Sequence, residues 1–380
     1  MSKLNVCVLF GGMSPEHEVS LRSAEFVLGC LDPEKYNVYP VGITKEGNWI
    51  LFGSNDYSML PSGQWLECAE NRPAAISPVR GQGLLRFEDD RVVQEQIDVV
   101  FPVLHGENGE DGTVQGLLQL AGIAYVGPHV SASAVSMDKT LTKLVADQAK
   151  VRQAEWYLVR NTDLETHLDN ILEQLESTFS YPMFVKPAGT GSSVGVSKAA
   201  DRESLTEALL KAGKFDSKIL VEEFIHGREV EVAVMGNANP VASICGEIDS
   251  GADFYDYDAK YVTDTSVAYI PARIPEDVAE KVREAAVAIY SAIGCQGLSR
   301  VDFFVTYEGN EVVFNEINTL PGFTSISMYP KLFDASGIPG NVGLEIILPL
   351  VGHEDVKAVL ENLRGREGVL FAMECMKREK

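Results

Sequence analysis

Across the first 127 residues, short apolar runs and helix-like stretches take turns, and that alternation leaves few folds open. Leu4–Phe10, Val38–Ile43 and Ile97–Leu104 read as strands, while Ser14–Leu31 and Thr113–Ala121 read as helices. Strand-helix-strand order predicts a parallel sheet flanked by helices, because parallel neighbours need a crossover long enough to hold a helix. A Pro-, Gly- and Ser-rich stretch around 61–83 interrupts the pattern and reads as a surface insertion, not a boundary.

A chain of 380 residues needs more than this one unit, since domains usually hold ~100–200 residues. From Met137 a helix leads to a second unit, with a helical stripe at Leu164, Leu168, Ile171, Leu172 and Leu175 before the strand Met183–Lys186. A third unit has Val230, Val232 and Val234 facing inward, a helix from Pro275 to Ile293 stopped by Gly294, and two closing strands. The boundaries fall at 1–127, 128–222 and 223–352, followed by a charged tail, 353–380. Residues 248–265, rich in Gly, Asp and Tyr without an apolar period, read as a mobile loop.

Charge and cysteine usage exclude whole classes of function. A net charge of −23 repels nucleic-acid backbones and anionic membranes, and no local basic patch offsets it. The six cysteines are scattered, without a CxxC pair or histidines at zinc spacing, and read as reduced thiols. No apolar run approaches the ~18 residues of a membrane span, and no secretory signal opens the chain. The expected location is the cytoplasm.

Three constellations carry chemistry. In Phe184-Val185-Lys186-Pro187-Ala188-Gly189-Thr190-Gly191-Ser192-Ser193-Val194-Gly195-Val196, strands bound a glycine-rich turn whose amides and hydroxyls suit phosphate oxygens. It matches neither a P-loop nor a dinucleotide-binding fingerprint, and its bland alternative is a plain hairpin loop.

The second constellation joins Arg300 and Asp302 to Glu316 and Asn318 across a turn at Glu308-Gly309-Asn310. Residues two apart on a strand share a face, so a turn of that length sets Asp302 opposite Glu316 and Arg300 opposite Asn318. Two facing carboxylates repel unless a cation lies between them, and oxygen donors from Asp, Glu and Asn suit magnesium. An exposed polar face is the bland alternative. Arg300 has two readings, a counter-ion for these carboxylates or a donor to charge developing in a reaction.

Near the N-terminus, Gly11-Gly12 and then Ser14-Pro15-Glu16 read as a helix start with Ser14 as N-cap, where Glu16 and Glu18 would favour the helix dipole. His105-Gly106-Glu107-Asn108-Gly109-Glu110-Asp111-Gly112 follows a strand and precedes a helix, the place where open parallel sheets bind ligands. A lone histidine such as His105 is more often structural.

Taken in order, these residues resemble the ATP-grasp superfamily and, within it, the D-alanine–D-alanine ligase family. The likeness runs over about residues 4–350 and is carried by Leu9-Phe10-Gly11-Gly12 with Glu16-His17-Glu18-Val19-Ser20, Leu104-His105-Gly106 with Gly109-Glu110-Asp111-Gly112, and Met137-Asp138-Lys139. It continues through Lys186-Pro187 with Gly191-Ser192-Ser193-Val194-Gly195, Tyr255-Asp256-Tyr257 with Lys260-Tyr261, and Asn315-Glu316-Ile317-Asn318-Thr319-Leu320-Pro321-Gly322-Phe323-Thr324. The resemblance implies an α/β chain with a Rossmann-like N-terminal domain followed by a two-lobed ATP-grasp fold, α+β in its ATP-binding part.

It also implies ATP as substrate, two Mg2+ or Mn2+ ions on Asp302, Glu316 and Asn318, D-alanine as the small-molecule partner, and a homodimer. Lys139, Lys186 and Ser193 would meet ATP phosphates, Glu222, Glu223, Phe224 and Ile225 the adenine, Glu229 the ribose, with Phe304 also in the nucleotide set. Glu16 would hold the first ammonium, Arg300 and the Gly322 amide an oxyanion, and Ser327 the second carboxylate, with His105, also in the catalytic set, and Met328 beside the substrates. Ser192 and Tyr261 would join Glu16 in a hydrogen-bonded triad, with Lys260 near the transferred phosphate. Gly189 stands where the family commonly has Asn, which bears on loop rigidity, and Glu223 stands where Lys is frequent.

The rivals are a ligase forming D-alanyl-D-serine or D-alanyl-D-lactate, against which Met328 speaks, with Tyr261 speaking against D-lactate, and a non-catalytic nucleotide sensor on the same fold. A sensor would have lost the metal carboxylates or Arg300.

Overall fold

The computed structural model describes residues 3–191, 194–249, 267–324 and 326–338. Its first sheet runs β1 (Leu4–Gly11), β2 (Tyr36–Ile43), β3 (Trp49–Leu51), β4 (Arg72–Ile76), β5 (Leu84–Phe87), β6 (Val92–Glu95), β7 (Val99–Leu104) and β8 (Ala124–Tyr125), in the spatial order β6-β5-β4-β3-β2-β1-β7-β8. The expected parallel part is β2-β1-β7-β8.

Strand β1 is apolar from Val6 to Phe10, where it is buried on both faces. Val6, Val8 and Phe10 pack with Leu21, Ala24, Val27 and Leu28 of helix α1 (His17–Cys30). Cys7 and Leu9 face the other way, into a cluster with Val114, Leu118 and Ala121 of helix α2 (Thr113–Ala121).

Two N-terminal expectations are corrected. Helix α1 begins at His17, not Ser14, and Ser14 is no N-cap: its hydroxyl donates to the His105 carbonyl at 2.7 Å while accepting from the Glu16 amide at 3.1 Å. The 61–83 stretch is not merely superficial, since it supplies β4 and leads into β5, antiparallel additions to the sheet. Trp65 is buried there edge-on against Phe10, with ring centroids 5.2 Å apart. A Cβ on Gly42 would come within 2.4 Å of that indole, so the glycine keeps the slot open.

Helices α3 (Val130–Met137) and α4 (Lys139–Gln148) lead to the second sheet, β9 (Trp156–Arg160), β10 (Met183–Pro187), β11 (Ser197–Ala199) and β12 (Lys218–Glu223), antiparallel in the order β11-β10-β12-β9. The predicted leucine stripe lies on α5 (Asn161–Thr178), with Leu164, Leu172 and Leu175 buried against the sheet's Val159, Val185 and Val221. Helix α6 (Arg202–Ala212) starts from an Asp201–Ser204 capping box and covers the same face.

The third sheet comprises β13 (Gly227–Met235), β14 (Val241–Ala242), β15 (Gly246–Asp249), β16 (Val267–Tyr269), β17 (Leu298–Thr306) and β18 (Val312–Asn318), in the order β16-β15-β13-β17-β18, with β14 on β13. Val230, Val232 and Val234 point into a core under the helix Glu276–Ile293, which Gly294 ends in the left-handed conformation, φ 79°. Of the loop expected at 248–265, Ile248 and Asp249 belong to β15, and 250–265 lie outside the described residues. So does the tail, 353–380.

One apolar cluster joins the first and third sheets across the chain. Val8, Phe10 and Phe101 share it with Phe323, Met328, Leu332 and Phe333 from the last described segment, which includes the helix Met328–Ala335. The C-terminal edge of the parallel sheet is thereby held against the end of β18.

Candidate active site

The hairpin β17–β18 delivers the predicted register, Arg300 opposite Asn318 and Asp302 opposite Glu316, by an unexpected route. The turn spans 307–310, one residue longer than expected, which alone would shift the pairing. A bulge at Asn315 shifts it back, so that Phe303 faces Phe314 while Asp302 still faces Glu316. Asn315 accepts a hydrogen bond from Lys186 Nζ at 3.3 Å.

Around this hairpin the charges interlock. The Arg300 guanidinium grips both oxygens of Asp302, at 2.8 and 2.7 Å, and pairs with Glu231 at 3.1 Å. Asn318 Nδ2 donates to Asp302 at 3.0 Å. Arg300 is therefore the counter-ion of Asp302 and Glu231 in this structure. It also lines the adjoining cavity. Glu231, missed in the sequence, sits opposite Asp302 on β13 and shares a face with Glu229. The alternation that sends Val230 and Val232 inward was its available signal.

On the facing sheet, the Glu222 carboxylate is buried between Lys143 and Lys186, each 2.6 Å away. Burial alone would raise its pKa, but the two ammonium groups outweigh it and hold the carboxyl at about 2. Lys139 donates to the Thr190 carbonyl at 2.6 Å and lies 4.0 Å from Glu316. The Glu223 carboxylate turns away to Arg152, at 3.3 Å, and to the Glu155 amide, at 2.9 Å. Any contact that Glu223 makes in the cleft is thus left to its backbone.

Between the two sheets opens a cleft lined by Lys139, Lys186, Phe224, Ile225, Glu229 and Phe304, and also by Asp302 and Glu316. Next to it lies a second cavity of about 610 Å³ lined by Glu16, His105, Arg300, Gly322, Ser327 and Met328. Gly191, Glu231, Ile248 and Glu316 line both, so the two spaces meet at the carboxylate face of the hairpin. Ser192, Ser193, Lys260 and Tyr261 lie outside the described residues.

The second cavity is built on the end of β7 and the segment after β18. His105 is buried, and burial, helped by the charge of Arg300 against a weaker opposing hydrogen bond, pushes its pKa down to about 4. Its Nδ1 lies 3.0 Å from the Leu320 carbonyl, which can only accept, so Nδ1 carries the proton and Nε2 accepts from Ser23 Oγ at 3.2 Å. Ser23 in turn accepts from the Phe323 amide at 3.2 Å. Both ring nitrogens are committed to holding segment 320–323, so in this structure His105 positions the backbone that carries Gly322.

Glu110, also missed, completes that clamp. Its carboxylate accepts from the Gly106 amide at 2.8 Å and the Leu320 amide at 3.2 Å. Burial and then the neighbouring Glu16 push its pKa well above the usual carboxylate range. Glu16 is itself buried, close enough to Gly106 that a Cβ there would meet its Oε2 at 2.3 Å. Ser327 Oγ accepts from the Thr324 amide at 3.0 Å, and a Cβ on Gly322 would come within 2.8 Å of it. At the departure noted at Gly189, the amide is pinned to Asp216 at 2.7 Å, so the turn has an anchor without an asparagine side chain.

This chain, its sheets and its two joined cavities are matched closely by known proteins. The family model of the D-ala D-ala ligase N-terminus fits residues 5–128, and that of the C-terminus residues 145–346. The chain belongs to the D-alanine–D-alanine ligase family. The D-alanine–D-alanine ligase of Acetivibrio thermocellus is 49% identical over 348 residues, covering 88% of this chain and 92% of the relative. That of Caldicellulosiruptor bescii is 48% identical over 344 residues, 89% and 92% of the two chains. Among solved structures, the VanG D-Ala:D-Ser ligase from Enterococcus faecalis superposes with TM-score 0.83 at 37% identity, covering 92% of this chain and all of that one (100%). The D-alanine-D-alanine ligase from Coxiella burnetii gives 0.78 at 33%, covering 95% and 98%. Membership makes the fold ATP-grasp and the protein an ATP-dependent ligase. No helix among the described residues is long and apolar enough to cross a membrane.

Proposed function

We propose that this member of the family joins two D-alanines at the cost of ATP, through a D-alanyl phosphate, to supply a peptidoglycan precursor. The observation that carries the reading is the junction of the two cavities. A cleft with lysines suited to phosphate opens at Glu316 into a cavity with a buried carboxylate suited to an ammonium group.

In the first step a carboxylate oxygen of D-alanine attacks the γ-phosphorus and ADP leaves. Lys139 and Lys186 bind and orient the phosphates, with Glu229 at the ribose and the backbone of 223–225 at the adenine. Glu16 holds the ammonium of the first D-alanine. In the second step the free amine of another D-alanine attacks the acyl carbon and phosphate leaves with the former carboxylate oxygen. Arg300 and the Gly322 amide aim donors at the oxyanion, a role typically worth about 3–4 kcal/mol per donor, and Ser327 receives the second carboxylate. Ser192, Ser193, Lys260 and Tyr261 keep the roles that the resemblance implies.

The oxygen donors Asp302, Glu316 and Asn318 fit a hard divalent cation, Mg2+ or Mn2+. Among the described residues no three His, Cys, Asp or Glu side chains converge as metal ligands, and the third donor here is an amide. When bound, the cation neutralises phosphate charge.

The units 1–127, 128–222 and 223–352 serve as substrate domain and the two nucleotide lobes, a division supported by one sheet in each. A cytoplasmic location and a homodimer complete the reading, and light scattering checks the dimer. The D-Ala:D-Ser structural relative favours D-serine as the second reading for the incoming amine. Phosphate release from ATP with D-alanine as first substrate, and D-alanine, D-serine or D-lactate as second, decides between them. D-alanine should give by far the highest turnover, and preferential use of D-serine would replace it.

A further inference from the structure

Lys143 lies on α4 one helical turn after Lys139, and it is almost wholly buried, at 2% exposure. A lysine this deep is rare unless paired. Its ammonium group meets Glu222 at 2.6 Å and the Ala154 carbonyl at 3.4 Å. Although it does not line the nucleotide cleft, Lys186, on the other oxygen of Glu222, does.

The three groups together carry one positive charge in surplus. Without Lys143, Lys186 and Glu222 would form a pair of zero net charge, and an anion in the cleft would feel attraction and repulsion that largely cancel. In a partly desolvated cleft that difference is large, because charges there are poorly screened.

We propose that Lys143 is a positioning residue for nucleotide binding: by offsetting Glu222 it leaves the charge of Lys186 available to the triphosphate. The inference rests on the reading of this cleft as the ATP site. It predicts a defect that scales with ligand charge, whereas a merely structural role for Lys143 would weaken every ligand alike.

Calorimetry with ATP, ADP and adenosine, magnesium present, tests it on the intact protein. Lys143→Met should weaken ATP roughly tenfold or more, the order expected for removing one unit charge about 10 Å from the phosphates at an effective dielectric constant of about 20. ADP should weaken less and adenosine not at all. Lys143→Gln, whose amide still donates a hydrogen bond, is the milder variant should the first fail to fold, with the same ranking expected. Adding Glu222→Gln to Lys143→Met restores the surplus charge and should recover most of the ATP affinity. Equal losses for ATP and adenosine, an unchanged ATP affinity, or no recovery in the double variant would overturn the proposal. If Lys186→Met left ATP binding intact, the assignment of the cleft would fail first, separately from the role of Lys143.

Discussion

Two charge clusters face each other across the cleft with opposite surpluses. The Glu222 cluster has two lysines around one carboxylate, and the Arg300 cluster has one arginine among Asp302, Glu231 and, opposite in register, Glu316. The second is held by sheet strands alone and the first by two strands and helix α4, so neither can relax far. Counted by formal charge, the first carries a positive surplus and the second a negative one, which Lys139, 4.0 Å from Glu316, meets in part. On the proposed reading a nucleotide with its metal would match both surpluses, which is how a chain of strongly negative net charge would bind a polyanion.

The largest effect should come from breaking the second cluster at its centre. Arg300→Ala removes a donor to the oxyanion and leaves Asp302 and Glu231 without their shared cation. Loss of one partner of a buried pair costs about 3–5 kcal/mol, and here the partial exposure of the side chains places the expected cost at the lower end. Turnover should fall by a factor of roughly a hundred or more, with a clearly lower melting temperature. A normal melting curve with lost turnover would make Arg300 purely a donor, and the reverse would make it purely a counter-ion.

A sharper and smaller probe is Glu316→Gln, which lowers the negative surplus without touching the guanidinium. Ligation should be lost while the melting curve stays near wild type, since Glu316 is only partly buried. Near-normal turnover at saturating magnesium would remove Glu316 from the cation set.

Glu110 offers the smallest effect, read as a pH dependence. Its folded pKa lies above the unfolded value of about 4.3, so the folded state holds the proton longer than the unfolded chain does. Stability from this group is therefore fully present below the unfolded pKa and declines as pH rises from there to the folded pKa of about 8. Glu110→Gln should flatten that part of the melting-temperature profile, and an unchanged slope would mean that folding does not raise the Glu110 pKa.

The sequence made the Arg300 cluster far more legible than the Glu222 cluster. A period of two exposes a strand face directly, and the Asp302–Glu316 pairing survived a wrong turn length because the Asn315 bulge compensated for it. Lys143 carried no such sign, because a lysine on an amphipathic helix reads as a solvated face and only the fold shows what covers it. Trp65 was hidden likewise, one large apolar residue in a turn-rich stretch that finds its core by tertiary contact with Phe10. Glu110 and Ser23 act on backbone groups more than two hundred residues away, and no local pattern reports such partners.

The central claim is that a D-alanine carboxylate is phosphorylated before an amine attacks it, and isotope transfer tests this directly. D-alanine labelled with 18O in its carboxylate is turned over with unlabelled ATP, and the phosphate released is examined by mass spectrometry. The account predicts that each phosphate carries one labelled oxygen, because the oxygen bridging carbon and phosphorus departs with the phosphoryl group. Unlabelled phosphate, or AMP with pyrophosphate in place of ADP with phosphate, would contradict it.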